Sequence, residues 1–147
     1  MSWTRWLKER RVERHTTSRA EIDGFRAMVT RDLKDARSKG TSADTRFIVA
    51  YNGALVLARM VVAASGYRIK GEGAHRTTFD AVELAMGAAV AATTVFFDAC
   101  RRQRNIVTYD TAGRISEGQV AQLVKKVQEF RTEVESWLAA NHPGLKP

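Results

Sequence analysis

FIVAYNGALVLARMVVAA runs from Phe47 to Ala64. Eighteen residues with only Asn52, Gly53 and Arg59 to interrupt them are apolar on most faces of a helix. A helix without a polar face belongs either in a bilayer or at the centre of a bundle. The three interruptions favour the second, and the stretch predicts a buried central helix over about residues 42–65, ended by Gly66. Everything else in the fold is placed around it.

The rest of the chain reads as helix as well. Its two prolines, Pro143 and Pro147, lie at the C-terminal end, so nothing earlier forbids helix. No region has a good run of strand-like alternation. Ser18 and Glu21 in SRAE form a capping box, after which Ile22, Phe25, Val29, Leu33 and Ala36 keep helical spacing. SKGTS from Ser38 breaks that helix. YRIKGEG (67–73) is expected as a loop, followed by a shorter helix from about His75 to Met86, with Gly87 a kink or boundary. A further helix spans about 88–108. DTAGR is a turn, SEGQ from Ser116 a second capping box. Val120, Leu123, Val124, Val127, Phe130, Val134, Trp137 and Leu138 then form one stripe that NHPG terminates. A polar first helix, about Thr4 to His15, is anchored by Trp3, Trp6 and Leu7.

These elements predict an all-α, antiparallel four- to five-helix bundle in one domain, 1–147, with a polar N-terminal helix or arm (1–17) and a flexible end (142–147). The length of 147 residues suits one core. With 24 Lys and Arg against 16 Asp and Glu, the formal net charge is +8. That excess favours polyanionic partners, or is simply a solvated basic surface. Cys100 is the single cysteine, so no internal disulfide forms, in keeping with a reducing compartment. The charged N-terminus lacks the apolar core and cleavage site of a secretory leader. A cytoplasmic location away from membranes is the expectation.

Metal and cofactor motifs are absent. His15, His75 and His142 are scattered and have no companion cysteines. No phosphate-cradling glycine motif occurs, and GEG at 71–73 is a turn. Cys100 reads as a packed thiol. His75 opens a helix, as a cap, a surface residue or a catalytic group. Asn52 in the apolar helix either bonds a neighbouring helix or orients an arginine.

CRRQRNIVTYD, from Cys100 to Asp110, is the stretch with chemistry in it. On a continuing helix Arg101, Asn105 and Tyr109 share a face, Arg104 neighbours Arg101, and Asp98 can pair with Arg102. Cations complement the negative pole of a helix end, each worth about 0.3–1 kcal/mol. The same guanidiniums bind phosphate bidentately, and asparagine and phenol add neutral hydrogen bonds. A plain helix end and a phosphate site both account for the residues.

RNIVTYD, together with AYNGALVLARMVVAASGYR (50–68) and GEGAHRTTFDAV (71–82), resembles the HEPN superfamily of small helical-bundle proteins. The match in helix order extends from about Ser18 to Trp137. The resemblance implies a bundle of about four helices with a short extra one, and a homodimer that brings two motifs together. Many members are metal-independent ribonucleases, including toxins of toxin-antitoxin modules and other bacterial defence proteins. Some pair with a nucleotidyltransferase-type antitoxin. Carried over, the catalytic set is Arg104 on the scissile phosphate, Asn105 positioning it, and Tyr109 where the family has histidine. Arg101, Arg104 and Asp110 bind substrate, while Asn52 and His75 stand behind them. Asp110 is an alternative base or the cap of the next turn. No metal or cofactor is implied. Modification of Tyr109 by a transferase is a property of part of the family.

The tyrosine is a departure. Free phenol has a pKa of about 10, so it donates a proton but makes a poor base at neutral pH. Two functions stay open: an RNA- or nucleotide-phosphate-binding dimer, cleaving RNA if catalysis survives, or a non-catalytic dimeric scaffold for an acidic partner or antitoxin.

Overall fold

The computed structural model describes residues 1–71 and 74–147. The described chain forms helices α1 (Trp3–Lys8), α2 (Arg19–Ala36), α3 (Ala43–Ala64), α4 (Ala74–Met86), α5 (Ala91–Tyr109) and α6 (Glu117–Asn141). Two short strands, β1 (Val12–Arg14) and β2 (Tyr67–Ile69), pair antiparallel with Val12 opposite Ile69. The fold is therefore all-helical but for one small ribbon.

α3 is the hub. It is packed by α2, α4, α5, α6 and β2, and thirteen of its residues, from Phe47 to Ala64, are buried. By length and composition it could cross a membrane, yet most of it is enclosed by the other helices. Burial of an apolar surface of this extent is the main drive for assembly, at about 25 cal/mol per Å². An aromatic row ties the layers together. Tyr51 of α3 meets Phe79 of α4 at 6.1 Å, Phe79 meets Phe97 of α5 at 5.5 Å, and Phe97 meets Phe130 of α6 at 5.3 Å. The α6 stripe is seated as its spacing requires, with Val120, Leu123, Val124, Val127, Phe130, Val134 and Leu138 buried and Trp137 packed alongside.

The N-terminal segment corrects the expectation of one helix from Thr4 to His15. α1 stops at Lys8, and Arg10 turns the chain in the left-handed conformation (φ 57°). The chain then returns as β1. The reason is tertiary. Trp6, Val12, Val62 and Ala81 form a second, smaller core, and Trp3 stacks on Tyr67 of β2 at 4.4 Å. The first part of YRIKGEG is accordingly a strand and not a loop. Gly71 follows with φ 82°, while Glu72 and Gly73 of the expected GEG turn lie outside the described residues.

Caps set the helix starts. Ser116 and Gln119 form the complete reciprocal box. At Ser18 only half forms: Ser18 accepts from the Glu21 amide, but the Glu21 carboxylate turns to His15 Nε2 (2.8 Å) and Thr17 Oγ1 (2.7 Å). Gly87 (φ 94°) is a true boundary, and a single 3-10 turn, Ala88–Val90, leads into α5. Residues 142–147, expected as a flexible end, carry a turn at Pro143–Leu145. There Leu145 packs on the core and its carbonyl accepts from Arg26 Nη2.

Candidate phosphate-binding site

α5 turns from apolar to basic after Cys100 because its N-terminal half is wedged beside α3 and α4 while its C-terminal half emerges from the bundle. Phe97 and Cys100 are its last fully buried side chains. Burial pushes the Cys100 thiol up to about 12, which leaves it a packed, protonated group.

Arg101 and Arg104 leave the helix on neighbouring positions, both half-buried. Asp98 holds Arg101 through Oδ1, 3.0 Å from Nε. It reaches Arg102 only at 3.9 Å, so its expected pairing with Arg102 is the weaker of the two. Arg104 is different. Its Nη1 donates to Asn105 Oδ1 at 3.2 Å, and its Nε is buried without a hydrogen-bond partner among the described residues. Its Nη2 makes no hydrogen bond among the described residues either, and on a half-buried guanidinium that is the donor left for an oxyanion.

His75 comes to this place from the first turn of α4. Its Nδ1 lies 3.2 Å from Oη of Tyr51, which is wholly buried on α3. Burial first, then the charges of Arg104 and Arg101, hold the imidazole below its usual range, so it is neutral at pH 7. Burial likewise raises the Tyr51 phenol far above its ordinary value, against the pull of the same two arginines. Three elements thus contribute to one cluster: Tyr51 from α3, His75 from α4, and Asp98, Arg101, Arg104 and Asn105 from α5. His75 also lines a cleft of about 410 Å³ between α2, α3, α4 and β2, together with Phe25, Leu55, Arg59, Tyr67 and Thr78.

Of the residues singled out in the sequence, Arg104 bonds Asn105, and His75 lies within the electrostatic reach of Arg104 and Arg101. Tyr109 does not join them. It is 74% exposed at the end of α5 and makes no side-chain hydrogen bond among the described residues. Asp110 is exposed and serves as the C-cap residue, its amide donating to the Ile106 carbonyl. Asn52 is half-buried and makes no side-chain hydrogen bond among the described residues. The adjacent Tyr51 is the α3 residue that meets His75. Tyr51 and Asp98 were missed because a tyrosine in an apolar run reads as core, and an aspartate four before an arginine reads as a surface pair.

Among the described residues no three His, Cys, Asp or Glu side chains converge as metal ligands. No family model, curated protein or solved structure matches the chain.

Proposed function

We propose that the chain is an HEPN-like protein that binds RNA through its phosphates at the Arg101–Arg104 face of α5. The observation that carries this reading is Arg104, half-buried, with its Nε unpaired among the described residues and only a neutral asparagine on its Nη1. The net charge of +8 supports it, because an excess of cations draws a polyanion to the surface. The nearby neutral His75 adds a polar group without adding charge that would have to be desolvated.

The working unit in this reading is a homodimer. Exposed positions Ala92, Val95, Ala99, Arg102, Ile106 and Tyr109 of α5 follow a three-four spacing along one side of the helix. Val95 is 68% and Tyr109 74% exposed, unusual for such large apolar groups. That spacing is the seam a second helix packs into. Pairing α5 with α5 of a second copy covers the stripe and sets two arginine pairs along one groove, long enough to follow a strand.

Fluorescence anisotropy with a labelled single-stranded RNA at low salt tests the reading. Each charge-assisted hydrogen bond contributes about 1.5–3 kcal/mol, so Arg104→Ala weakens binding by about ten- to a hundredfold. Lys125→Ala, an exposed cation on α6, changes it only slightly. Affinity falls with salt in proportion to the phosphates contacted. If wild-type protein ignores RNA at low salt, the same arginines are better read as docking points for an acidic protein, such as an antitoxin.

A further inference from the structure

We infer that the cleft between α2, α3, α4 and β2 is a binding site for a small aromatic monocarboxylate, held with its carboxylate on Arg59 and a hydroxyl at its far end on His75. Neither Arg101 nor Arg104 lines this cleft, so the site goes beyond phosphate binding and does not depend on it. Its volume of about 410 Å³ lies within the range of about 300–1,000 Å³ that small-molecule sites occupy.

The charged end comes from α3. Leu55, Arg59, Val62 and Ala63 recur every three or four residues, so one face of the helix lines the cleft. Arg59 is exposed, and its guanidinium lies 5.3 Å from the centre of the Phe25 ring on α2. It makes no hydrogen bond or ion pair among the described residues. The other charges of the cleft are matched. Arg68 is paired with Glu13, while the Glu21 carboxylate accepts from His15 Nε2 and Thr17 Oγ1. Arg59 is thus the cation with donors to spare, and its planar fork suits a carboxylate. Glu21 on the same rim repels a second negative charge, which favours a monoanion over a polyanion.

The far end comes from α4. Tyr51 Oη is wholly buried, and its one partner among the described residues is His75 Nδ1, at 3.2 Å. A buried hydroxyl needs an acceptor, so Tyr51 donates to Nδ1. The neutral ring then carries its own proton on Nε2, a donor with no partner among the described residues. Tyr51, Leu55 and Arg59 stand on successive turns of α3, about 6 Å apart along its axis. The two anchors are therefore set about 12 Å apart, less the reach of their side chains, with Leu55 midway. The walls between them are apolar and preformed. Phe25 and Leu55 pack on the main core, and Tyr67 is held by its stack on Trp3 at 4.4 Å. Fixed walls of this kind favour a flat aromatic body, which loses few torsions on binding, over a flexible chain.

The test is an NMR titration of the full chain, labelled on its amides, with 3-(4-hydroxyphenyl)propionate as the probe. Wild type binds the probe with a Kd of about 1 mM or tighter. The largest amide shifts fall at Leu55, Arg59, Tyr67 and Thr78. The uncharged amide of the probe binds about five- to tenfold more weakly, the worth of a partly exposed ion pair. 3-Phenylpropionate, which lacks the hydroxyl, binds about threefold more weakly. Arg59→Gln weakens the acid by the same five- to tenfold and leaves the amide within about twofold, a pattern that a merely structural role would not give. No shift with about 10 mM probe, acid and amide of equal affinity, a hydroxyl without effect, or Arg59→Gln binding the acid as wild type does would each overturn the assignment. So would shifts centred on Arg101 and Arg104, which would place the carboxylate on α5 instead. Should Arg59→Gln lose the wild-type melting profile, the ratio of acid to amide affinity in wild type decides.

Discussion

Asp32 has one carboxylate oxygen, Oδ2, buried without a partner among the described residues, and the residue is only 5% exposed on the inner side of α2. Its other oxygen accepts from Arg31 Nε at 3.1 Å, but the Arg31 side chain is 59% exposed and the pair contributes little. Burial raises the Asp32 pKa against the opposing pull of Arg31. An acid whose folded pKa is raised binds its proton more tightly in the native state. It therefore weakens the fold as pH rises from the ordinary 3.8 through the raised value, and the penalty vanishes below 3.8. Asp32→Asn removes the charge while keeping the bond to Arg31. The expected result is a gain of about 1 kcal/mol at pH 7, a shift of a few degrees in Tm, which shrinks towards nothing at pH 3.5. Equal melting of the two proteins at pH 7 would refute the argument. Single residues were also where the sequence misled most. At 100° per residue, Tyr51 and Asn52 point to different sides of α3, and composition does not say which side meets α4 and α5. The functional choice fell on the polar one, and the packing selected its neighbour.

At the scale of elements, helices with one apolar stripe were legible and the N-terminal ribbon was not. α2 and α6 announce themselves by spacing and by Ser18 and Ser116, since caps and periodicity are local. The pairing of β1 with β2 joins residues more than fifty positions apart, and strands of three residues are too short to alternate visibly. The α5–α6 turn is a comparable long-range feature, and it sits next to the candidate site. The Asp44 carboxylate, at the start of α3, accepts from the Gly113 amide at 2.6 Å and the Ile115 amide at 3.3 Å. These bonds anchor the segment just beyond Tyr109. Asp44→Ala frees both amides at a cost of about 1 kcal/mol. Hydrogen exchange at Gly113 and Ile115 should accelerate about fivefold or more while the amides of α3 keep their protection. Unchanged exchange at those two amides would show that the turn is held by other contacts.

For the whole molecule, the central place of α3 followed from its lack of a polar face, because only enclosure by other helices satisfies such a surface. Which helices touch which did not follow, and so the meeting of α4 with α5 that creates the candidate site came only with the tertiary structure. The proposed dimer concerns the one side of α5 that this packing leaves uncovered. Val95→Glu places a charge in the seam but disturbs nothing inside the protomer, where Val95 is 68% exposed. In sedimentation velocity, wild type should run as a dimer at micromolar concentration and the variant as a monomer. An unpaired buried charge costs about 3 kcal/mol or more, so the dissociation constant rises by at least about a hundredfold. Circular dichroism should show the same helicity for both. Salt separates this association from nucleic-acid binding. Two copies that each carry a net charge of +8 repel, and added salt screens the repulsion. Dimerisation through this seam, which also brings the two Arg102 side chains closer, therefore strengthens between low and physiological ionic strength, while RNA affinity falls over the same range. A wild-type protein that stays monomeric at high salt would remove the dimer, and the Arg101–Arg104 pair would then act on a single protomer.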